Sequence, residues 1–363
     1  MHLAALRLRD FRNYARLDAE FQPGFHLLLG DNAQGKTNIL EAIYLLATLR
    51  SFRGVGDAQM VRHSQKGYFV GARTLSSTAH EIKIYWSPAE RKLSLDSQTV
   101  RRLGDYLGTL RAVVFCTEDL QLVKGTGRLR RRFMDLLLTQ THQLYLPLLQ
   151  RYAAALRSRN VLLKQPAPHS DALEGFTRQM VEAGEELTKF RHGLWPEVAP
   201  LAQRAFTQVA GPGEQLELAY QPSIRQDFAV ELARNRAREQ TFRSTILGPH
   251  RDDVQLLLNG QPAGKFASEG QKRSIAIALK LAQAEYLTTL HGTPPILLID
   301  DIMGELDAKR RAGFLPLLNR TRAASSQVFM TCTEENWPRE LGQDLQRWEV
   351  RCGALRPGTA ALS

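Results

Sequence analysis

The chain has 363 residues, of which 43% are hydrophobic and 23% charged, proportions typical of a globular protein of about two domains. Its formal net charge of +11 favours polyanionic partners such as nucleic acid, although generic basicity is the alternative explanation. No segment approaches the ~20 apolar residues of a membrane span, and the three cysteines form no zinc or disulfide motif, so we expect a cytoplasmic protein without membrane contact.

The first part of the sequence predicts mainly β-strands. His2–Phe11 alternates apolar and polar residues as a strand does, which is not the pattern of a signal peptide. The other predicted strands are Ala15–Phe21, Phe25–Leu29, Tyr68–Leu75, Glu81–Trp86, Lys92–Leu95 and Arg111–Cys116.

A glycine-rich loop follows the strand Phe25–Leu29 and precedes a predicted helix that starts at Asn38. It reads GDNAQGKT and matches the phosphate-binding loop pattern of Gly, four residues, then Gly-Lys-Thr. Strand, loop and helix together direct backbone N–H groups and a helix N-terminus at phosphate; an ordinary glycine turn is the alternative. The predicted nucleoside triphosphate ligands are Gly30, Asp31, Asn32, Ala33, Gln34, Gly35, Lys36 and Thr37. Lys36 is expected to reach the β- and γ-phosphates, and the Thr37 hydroxyl to ligate Mg²⁺.

The pattern changes to helical spacing after about residue 119. Apolar residues recur every three or four positions in Leu129–Leu138, Gln143–Leu163, Asp171–Trp195 and Pro196–Val209. We therefore predict a helical arm at 119–213, inserted into a discontinuous nucleotide-binding head formed by 1–118 and 214–363.

The remaining elements return to alternating strands and helices. Strands are predicted at Gln215–Tyr220 and Asp253–Leu258, and Asn259-Gly260 predicts a hairpin turn. The last predicted elements are a helix at Gln271–Leu290, a strand at Ile296–Ile299, a helix at Lys309–Arg320 and a strand at Gln327–Thr331. The predicted fold class is α/β, a mixed sheet with helices, and the sequence lacks the heptads of a long coiled coil.

Two carboxylates end the apolar strand at Ile296–Ile299. Phosphate-loop enzymes hold Mg²⁺ with an Asp at such a strand end, which makes Asp300 a metal ligand and Asp301 a candidate for polarising the attacking water. We assign Asp300, Asp301 and Lys36 to catalysis; two acids at a solvated strand end are the alternative.

A second anion-binding segment precedes the helix at 271–290. Ser268 is a good N-cap, and a small residue with Gly270, just before Gln271, leaves the helix N-terminus open to an anion, although a plain capping turn explains the same residues. Asp307 lies in the turn after the Asp300 strand.

This set of motifs resembles the heads of ATP-binding cassette (ABC) ATPases. The resemblance implies a homodimer with two ATP molecules between the subunits. Ser268, Gly270 and Gln271 of one subunit would then contact the nucleotide held by the other, and Asp307 would belong to the loop that joins the two sites.

The short insert and four segments resemble the RecF family of SMC-like ATPases. The segments are Asp10–Tyr14, Glu118–Leu120 with Gly125 and Arg131–Asp135, Gly248–Asp253, and Leu298–Asp301 through Glu305–Asp307. The sequence departs from the family pattern at Thr117 and Gly127, where proline is usual, and at Gly304, where Ser or Ala is usual. These are turn positions, so they bear on loop shape and not on ATP chemistry.

The resemblance implies ATP-dependent binding to single-stranded, gapped or duplex DNA, with weak, DNA-stimulated ATP hydrolysis. With RecO and RecR, such proteins help RecA load at gapped DNA during repair, replication restart and the SOS response to damage. The alternatives are an ABC-type transporter subunit, another SMC-like DNA-associated ATPase, or a scaffold that binds ATP without hydrolysing it.

Arginine clusters are the candidate DNA contacts, and solvated or paired side chains are the alternative. They comprise Arg128 and Arg130–Arg132; Arg151, Arg157, Arg159 and Lys164; Arg234, Arg236, Arg238 and Arg243; and Arg50 with Arg53. Two further residues have open roles: His250 orders a loop or acts in catalysis, and Gln121 is a candidate γ-phosphate sensor.

Overall fold

The computed structural model describes residues 1–76, 78–166, 170–324, 326–333 and 345–358. The chain divides into two compact units. The first unit comprises 1–119, 204–211 and 276–363, and the second comprises 120–203 and 212–275.

The first unit contains an antiparallel sheet of six strands. In chain order these are β1 (His2–Phe11), β2 (Tyr14–Glu20), β4 (Tyr68–Leu75), β5 (Ala79–Trp86), β6 (Arg91–Leu95) and β7 (Gln98–Thr99). Their spatial order is β2-β1-β4-β5-β6-β7. In β1, Leu6 and Leu8 are fully buried while Arg7 between them is exposed, so the alternation read from the sequence is that of a sheet with one buried face.

The second sheet of this unit is mixed. Its strands are β3 (Gly24–Leu29), β8 (Ala112–Phe115), β12 (Ile296–Asp300), β13 (Gln327–Cys332), β14 (Leu345–Arg351) and β15 (Ala354–Pro357). They lie in the order β15-β14-β3-β13-β12-β8, and all neighbouring pairs are parallel except β14 with β15. The parallel strands are continuous apolar runs because helices cover them.

Among the described residues, three helices lie wholly in the first unit: α1 (Lys36–Thr48), α2 (Leu103–Tyr106) and α11 (Ala308–Ala323). A fourth, α10 (Glu269–His291), continues from the second unit into the first. Helix α1 packs against β8, β12 and β13, and its Ile39, Leu40 and Ile43 are fully buried. The helix that follows the glycine loop is therefore held against the parallel strands.

The second unit combines helices with a three-stranded antiparallel sheet. Its helices are α3 (Gln121–Lys124), α4 (Gly127–Thr141), α5 (Tyr145–Leu163), most of α6 (Ser170–Val209), α7 (Phe228–Arg234), α8 (Arg236–Phe242) and α9 (Ala263–Phe266). The sheet has the order β11-β10-β9, formed by β9 (Leu216–Gln221), β10 (Asp253–Leu258) and β11 (Gln261–Pro262). Asn259 and Gly260 have φ of 49° and 75° and join β10 to β11, which confirms the predicted hairpin turn.

The observed division of the chain differs from the sequence-based boundaries of 119–213 for the arm and 214–363 for the head. Residues 212–275 group with the helical segment. Ion pairs join the two: Arg159 with Glu239 and Arg191 with Asp252 are buried, and Arg130 with Asp253 is partly buried. Since a buried guanidinium needs a carboxylate within hydrogen-bond reach, these pairs tie β10 and α8 to the inserted helices.

Helix α6 also differs from prediction. The sequence predicts separate helices at Asp171–Trp195 and Pro196–Val209, but one helix runs through Pro196 and Pro200. A proline removes one backbone hydrogen bond and favours a break. Here Trp195, Val198 and Ala202 are buried, so apolar contacts continue across the prolines and keep the helix whole.

Candidate nucleotide site

The glycine loop makes a tight turn between β3 and α1. Gly30, Ala33 and Gly35 have positive φ of 147°, 64° and 117°, a region that glycine enters without strain. Asp31, Asn32 and Ala33 are exposed, and Lys36 is the first residue of α1. The loop therefore presents its backbone and the N-terminus of α1 at one end of the parallel sheet, as an anion-binding loop does.

Two segments, residues 13–14 and residues 352–353, hold this loop in place through hydrogen bonds. The Gln34 carbonyl accepts hydrogen bonds from Asn13 Nδ2 at 2.8 Å and from the Gly353 N–H at 3.1 Å. The Gln34 side-chain oxygen accepts from the Cys352 N–H at 2.7 Å, and the Tyr14 hydroxyl donates to the Gly35 carbonyl at 3.1 Å. These hydrogen bonds hold the loop through groups of the protein itself.

Close packing and positive φ together explain both loop glycines. A Cβ on Gly30 would lie 2.3 Å from the Val350 carbonyl oxygen, and one on Gly35 would lie 2.7 Å from Asn13 Nδ2. Both distances are shorter than any real Cβ contact. At Gly30 the blocking atom is backbone, so packing requires glycine there; at Gly35 the blocking atoms are side-chain ends, and the φ of 117° is the stronger reason.

The Lys36 side chain folds back over the loop. It is 7% exposed, and its Nζ donates to the Gly30 carbonyl and, at 2.9 Å, to the Asp31 carbonyl. An ammonium group at this depth needs acceptors. Loop carbonyls serve here, and phosphate oxygens would be stronger acceptors in the same space.

Thr37 and Asp300, far apart in sequence, meet at the carboxyl ends of the parallel strands. Thr37 Oγ1 donates to Asp300 Oδ1 at 2.8 Å, and Thr331 Oγ1 donates to the same oxygen at 2.9 Å. Thr331 Oγ1 in turn accepts the Asp301 N–H at 2.9 Å. Thr331 thereby fixes both carboxylate residues; Asp301 has φ 53° and is exposed.

Burial dominates the electrostatics of this edge. Desolvation raises the pKa of Asp300, the hydrogen bonds from Thr37 and Thr331 oppose that shift, and the nearby charges of Glu118 and Asp301 add to it. A carboxylate that is desolvated beside other acids is stabilised by a cation. Glu118 belongs to the turn that follows β8, the strand paired with the Asp300 strand.

The oxygens of Thr37 and Asp300 suit Mg²⁺, which needs few protein ligands, better than a metal ion whose ligands all come from protein. The described residues contain no cluster of three or more His, Cys, Asp or Glu able to hold a metal ion. Magnesium typically takes one or two protein oxygens and completes its shell with phosphates and water. Thr37 Oγ1 and Asp300 Oδ1, already adjacent, are a matching pair of hard oxygen ligands.

The predicted signature residues Ser268, Gly270 and Gln271 lie in the second unit. Ser268 Oγ accepts the Gln271 N–H at 3.2 Å, and Gln271 Oε1 accepts the Ser268 N–H at 2.7 Å. This is a reciprocal capping box at the start of α10. Gln271 Nε2 also donates to Glu214 at 2.9 Å, so the Gln271 side chain is committed within its own subunit.

Two further predicted residues have structural roles. Asp307 is exposed and precedes α11, where its carboxylate accepts the Arg310 N–H at 2.8 Å. His250 Nε2 donates to the Thr245 carbonyl at 3.1 Å, and Nδ1 of the neutral ring accepts from the Tyr152 hydroxyl at 2.6 Å. Burial lowers the pKa of His250 to about 4. These contacts favour loop ordering by a neutral His250 over catalysis.

The arginine clusters separate into internal and exposed members. Arg130 pairs with Asp253, Arg131 donates to the Asp252 carbonyl and Arg159 is buried against Glu239. These three serve the fold, which corrects their selection as candidate DNA contacts. The exposed members include Arg50, Arg53, Arg128, Arg157, Lys164, Arg234, Arg238 and Arg243.

Sequence reasoning missed the residues that hold the loop and its carboxylates. Asn13 and Tyr14 stood out only as part of a family segment, and Thr331 only as part of a strand. One signal was available for Thr331: it is the last polar residue of the apolar strand parallel to the Asp300 strand. Nothing in the sequence indicated that Cys352 and Gly353 reach the loop.

Comparison with known proteins agrees with this geometry. Residues 2–347 match the family model for the RecF/RecN/SMC N-terminal domain. The DNA replication and repair protein RecF of Symbiobacterium thermophilum is 38% identical over 371 residues, covering 98% of each chain. That of Streptococcus uberis is 35% identical over 366 residues, covering 98% of this chain and all of the relative. The chain belongs to the RecF family of DNA replication and repair proteins.

Solved structures extend the family assignment to the fold. The recombination mediator RecF-ATP of the RecFOR pathway has a TM-score of 0.89 and 27% identity, covering 99% of this chain and 98% of that one. An Smc head from Pyrococcus furiosus has a TM-score of 0.56 at 16% identity, a likeness of fold alone. The predicted α/β ATPase head is confirmed for this RecF-family chain.

None of its described helices has the length and apolarity to cross a bilayer.

Proposed function

We propose that this RecF-family protein is an ATPase that closes as a homodimer on DNA when it binds ATP. The observation that supports this most is the 2.8 Å contact between Thr37 Oγ1 and Asp300 Oδ1 beside the glycine loop. It joins the two halves of an ATP and Mg²⁺ site from residues 263 positions apart. The RecF-ATP structure, similar along its whole length, supports the choice of nucleotide.

Within one subunit, residues 30–37 bind the triphosphate. Lys36 exchanges its two loop carbonyls for phosphate oxygens, and the N-terminus of α1 faces the β-phosphate. Thr37 and Asp300 hold Mg²⁺, which when bound neutralises charge on the phosphates. Thr331 keeps the Asp300 carboxylate in position. Asp301, exposed and next in sequence, orients and deprotonates the attacking water.

The second subunit completes the site through Ser268 and Gly270, while Gln271 caps the helix that presents them. Because Ser268 Oγ accepts a hydrogen bond within its own capping box, its proton is available for a γ-phosphate oxygen across the interface. The N-terminus of α10 adds a favourable dipole. Asp307 contributes to the loop that joins the two sites. ATP thus adds contacts that exist only in the closed dimer, which shifts the population toward closure.

In the cell, this dimer acts in the cytoplasm at single-stranded, gapped or duplex DNA. Slow, DNA-stimulated hydrolysis releases it, and RecO and RecR are its partners in loading RecA during repair and replication restart. The RecFOR context of the similar RecF-ATP structure and the net charge of +11 support this role. Charge of this sign favours phosphate contacts without sequence readout.

Replacing Asp300 with Asn tests the proposed chemistry. Asn Oδ1 still accepts hydrogen bonds from Thr37 and Thr331, so the fold and ATP-dependent dimer should remain. Loss of the metal-binding charge should lower turnover by about 100-fold. Phosphate release is measured under saturating ATP and DNA, with Asp171→Asn, an exposed acid of the second unit, as control. Unchanged turnover in Asp300→Asn would remove Asp300 from the site.

A further inference from the structure

Two of the sequence-distant arginine clusters meet on the second unit. On the last turns of α5, Arg157, Asn160, Val161 and Lys164 follow at i, i+3, i+4 and i+7, and therefore share one helix face. Arg157, Val161 and Lys164 are exposed, whereas Arg159 and Leu163 on the other side are buried.

Helix α8 and the residues that follow it are held to the last turns of α5. Asn160 Oδ1 accepts hydrogen bonds from both the N–H and the hydroxyl of Thr245 at 2.8 Å. Arg159 donates to both Glu239 oxygens, at 3.1 and 2.6 Å, and to Thr245 Oγ1 at 2.7 Å. Because Thr245 closely follows Phe242 and Arg243, the end of α8 lies beside the Arg157–Lys164 face.

The resulting surface is cationic and contains an uncovered aromatic ring. Phe242 is 63% exposed and Val161 is 61% exposed. We name the surface the α5–α8 patch; it consists of Arg157, Val161, Lys164, Arg238, Phe242 and Arg243. Arg238 and Phe242 share a face of α8 at i and i+4.

The charge of the α5–α8 patch is uncompensated within the described part of the chain. Its four cations, Arg157, Lys164, Arg238 and Arg243, form no ion pair among the described residues; Arg238 reaches only the Asn235 side-chain oxygen, at 3.2 Å. The neighbouring acids are already used, since Glu239 pairs with Arg159 and Glu174 with Arg236.

We propose that the α5–α8 patch binds single-stranded DNA, with backbone phosphates on the four cations and an unpaired base stacked on Phe242. The α5–α8 patch would be one of the surfaces that contact DNA, so this inference rests on the proposed function. Cations that follow the backbone around an aromatic ring are how proteins bind single strands without sequence preference. A duplex keeps its bases stacked internally and offers nothing to Phe242.

The patch chemistry favours nucleic acid over an acidic protein segment. A protein partner would use the apolar bulk of residue 242, which Leu retains, whereas a base requires a flat π surface. Phe242→Leu and Phe242→Trp therefore separate the two occupants. As the side chain is mostly exposed, neither change should disturb folding.

The test is fluorescence anisotropy with a labelled oligothymidylate and, separately, a blunt duplex of equal length. Phe242→Ala and Phe242→Leu should each weaken oligothymidylate binding roughly 5- to 100-fold, with Phe242→Trp at least as tight as wild type. Duplex affinity should be unchanged by all three. Replacing the four cations with Gln should make the dependence of log affinity on log salt shallower by about 0.7 for each single-strand phosphate that the protein no longer neutralises.

The controls are Leu144→Ala, an apolar side chain 71% exposed in the same unit, and Lys189→Gln, an exposed cation there. Neither should change single-strand affinity. The inference is overturned if wild type binds oligothymidylate and Phe242→Ala binds it equally, or if Phe242→Leu matches wild type. Failure of wild type to bind either DNA would instead contradict the proposed function.

Discussion

Replacing Lys36 with Met is expected to weaken ATP binding roughly 10- to 100-fold, because hydrogen bonds to charged groups contribute about 1.5–3 kcal/mol each. Met has a similar length but no charge, so the triphosphate loses its internal cation. Lys36 also donates to the Gly30 and Asp31 carbonyls, but the loop should keep its shape because Asn13, Cys352 and Gly353 hold it independently. Isothermal titration calorimetry with ATP measures the change.

Lys66→Met is the matched control, because Lys66 is exposed and far from the loop in sequence. Its ATP affinity should equal that of wild type. Circular dichroism should report the same secondary structure for both variants. ATP affinity of Lys36→Met within a factor of two of wild type would exclude the loop as the triphosphate site.

The second large effect concerns stability. Arg191 is 2% exposed and donates at 2.8 Å to Asp135, at 2.7 Å to Asp252 and at 2.6 Å to the Pro249 carbonyl. Arg191→Met leaves those acceptors without their shared cation, and Asp252 is fully buried. Removing one partner of a buried ionic network costs about 3–5 kcal/mol. The second unit should therefore unfold at a markedly lower urea concentration.

Lys189→Met is the control for this prediction. Lys189 lies two residues away on the same helix, but its pair with Glu186 is exposed, and exposed pairs contribute about 1 kcal/mol or less. Urea unfolding followed by circular dichroism compares the two variants with wild type. Equal midpoints for Arg191→Met and wild type would show that the network contributes nothing to the second unit.

How far the sequence predicted the structure depended on how local each signal was. The glycine loop and the Asp300 strand were predictable because short apolar runs flank them and their residue types have a defined chemistry. Most element bounds agree within a few residues for the same reason. The clamp on Gln34 was not predictable, because Cys352 and Gly353 act through backbone N–H groups 318 or more positions away.

The structural division of the chain differs from the sequence-based boundary because long-range contacts decide it. Residues 214–275 alternate strands and helices like the head, so local pattern assigned them to it. Their place in the fold is decided by long-range pairs such as Arg130 with Asp253 and Arg159 with Glu239. The same pairs show that an arginine-rich sequence does not identify a DNA contact, since burial and pairing remove some of its members from the surface.

ATP is expected to close two copies of this chain through Ser268 of one and the glycine loop of the other. Sedimentation velocity of wild type and Ser268→Arg, each saturated with ATP on gapped DNA, tests it most directly. We expect a dimer for wild type and a monomer for Ser268→Arg, with equal ATP affinity. A wild-type protein that stays monomeric with ATP bound, or a Ser268→Arg variant that dimerises normally, would contradict it.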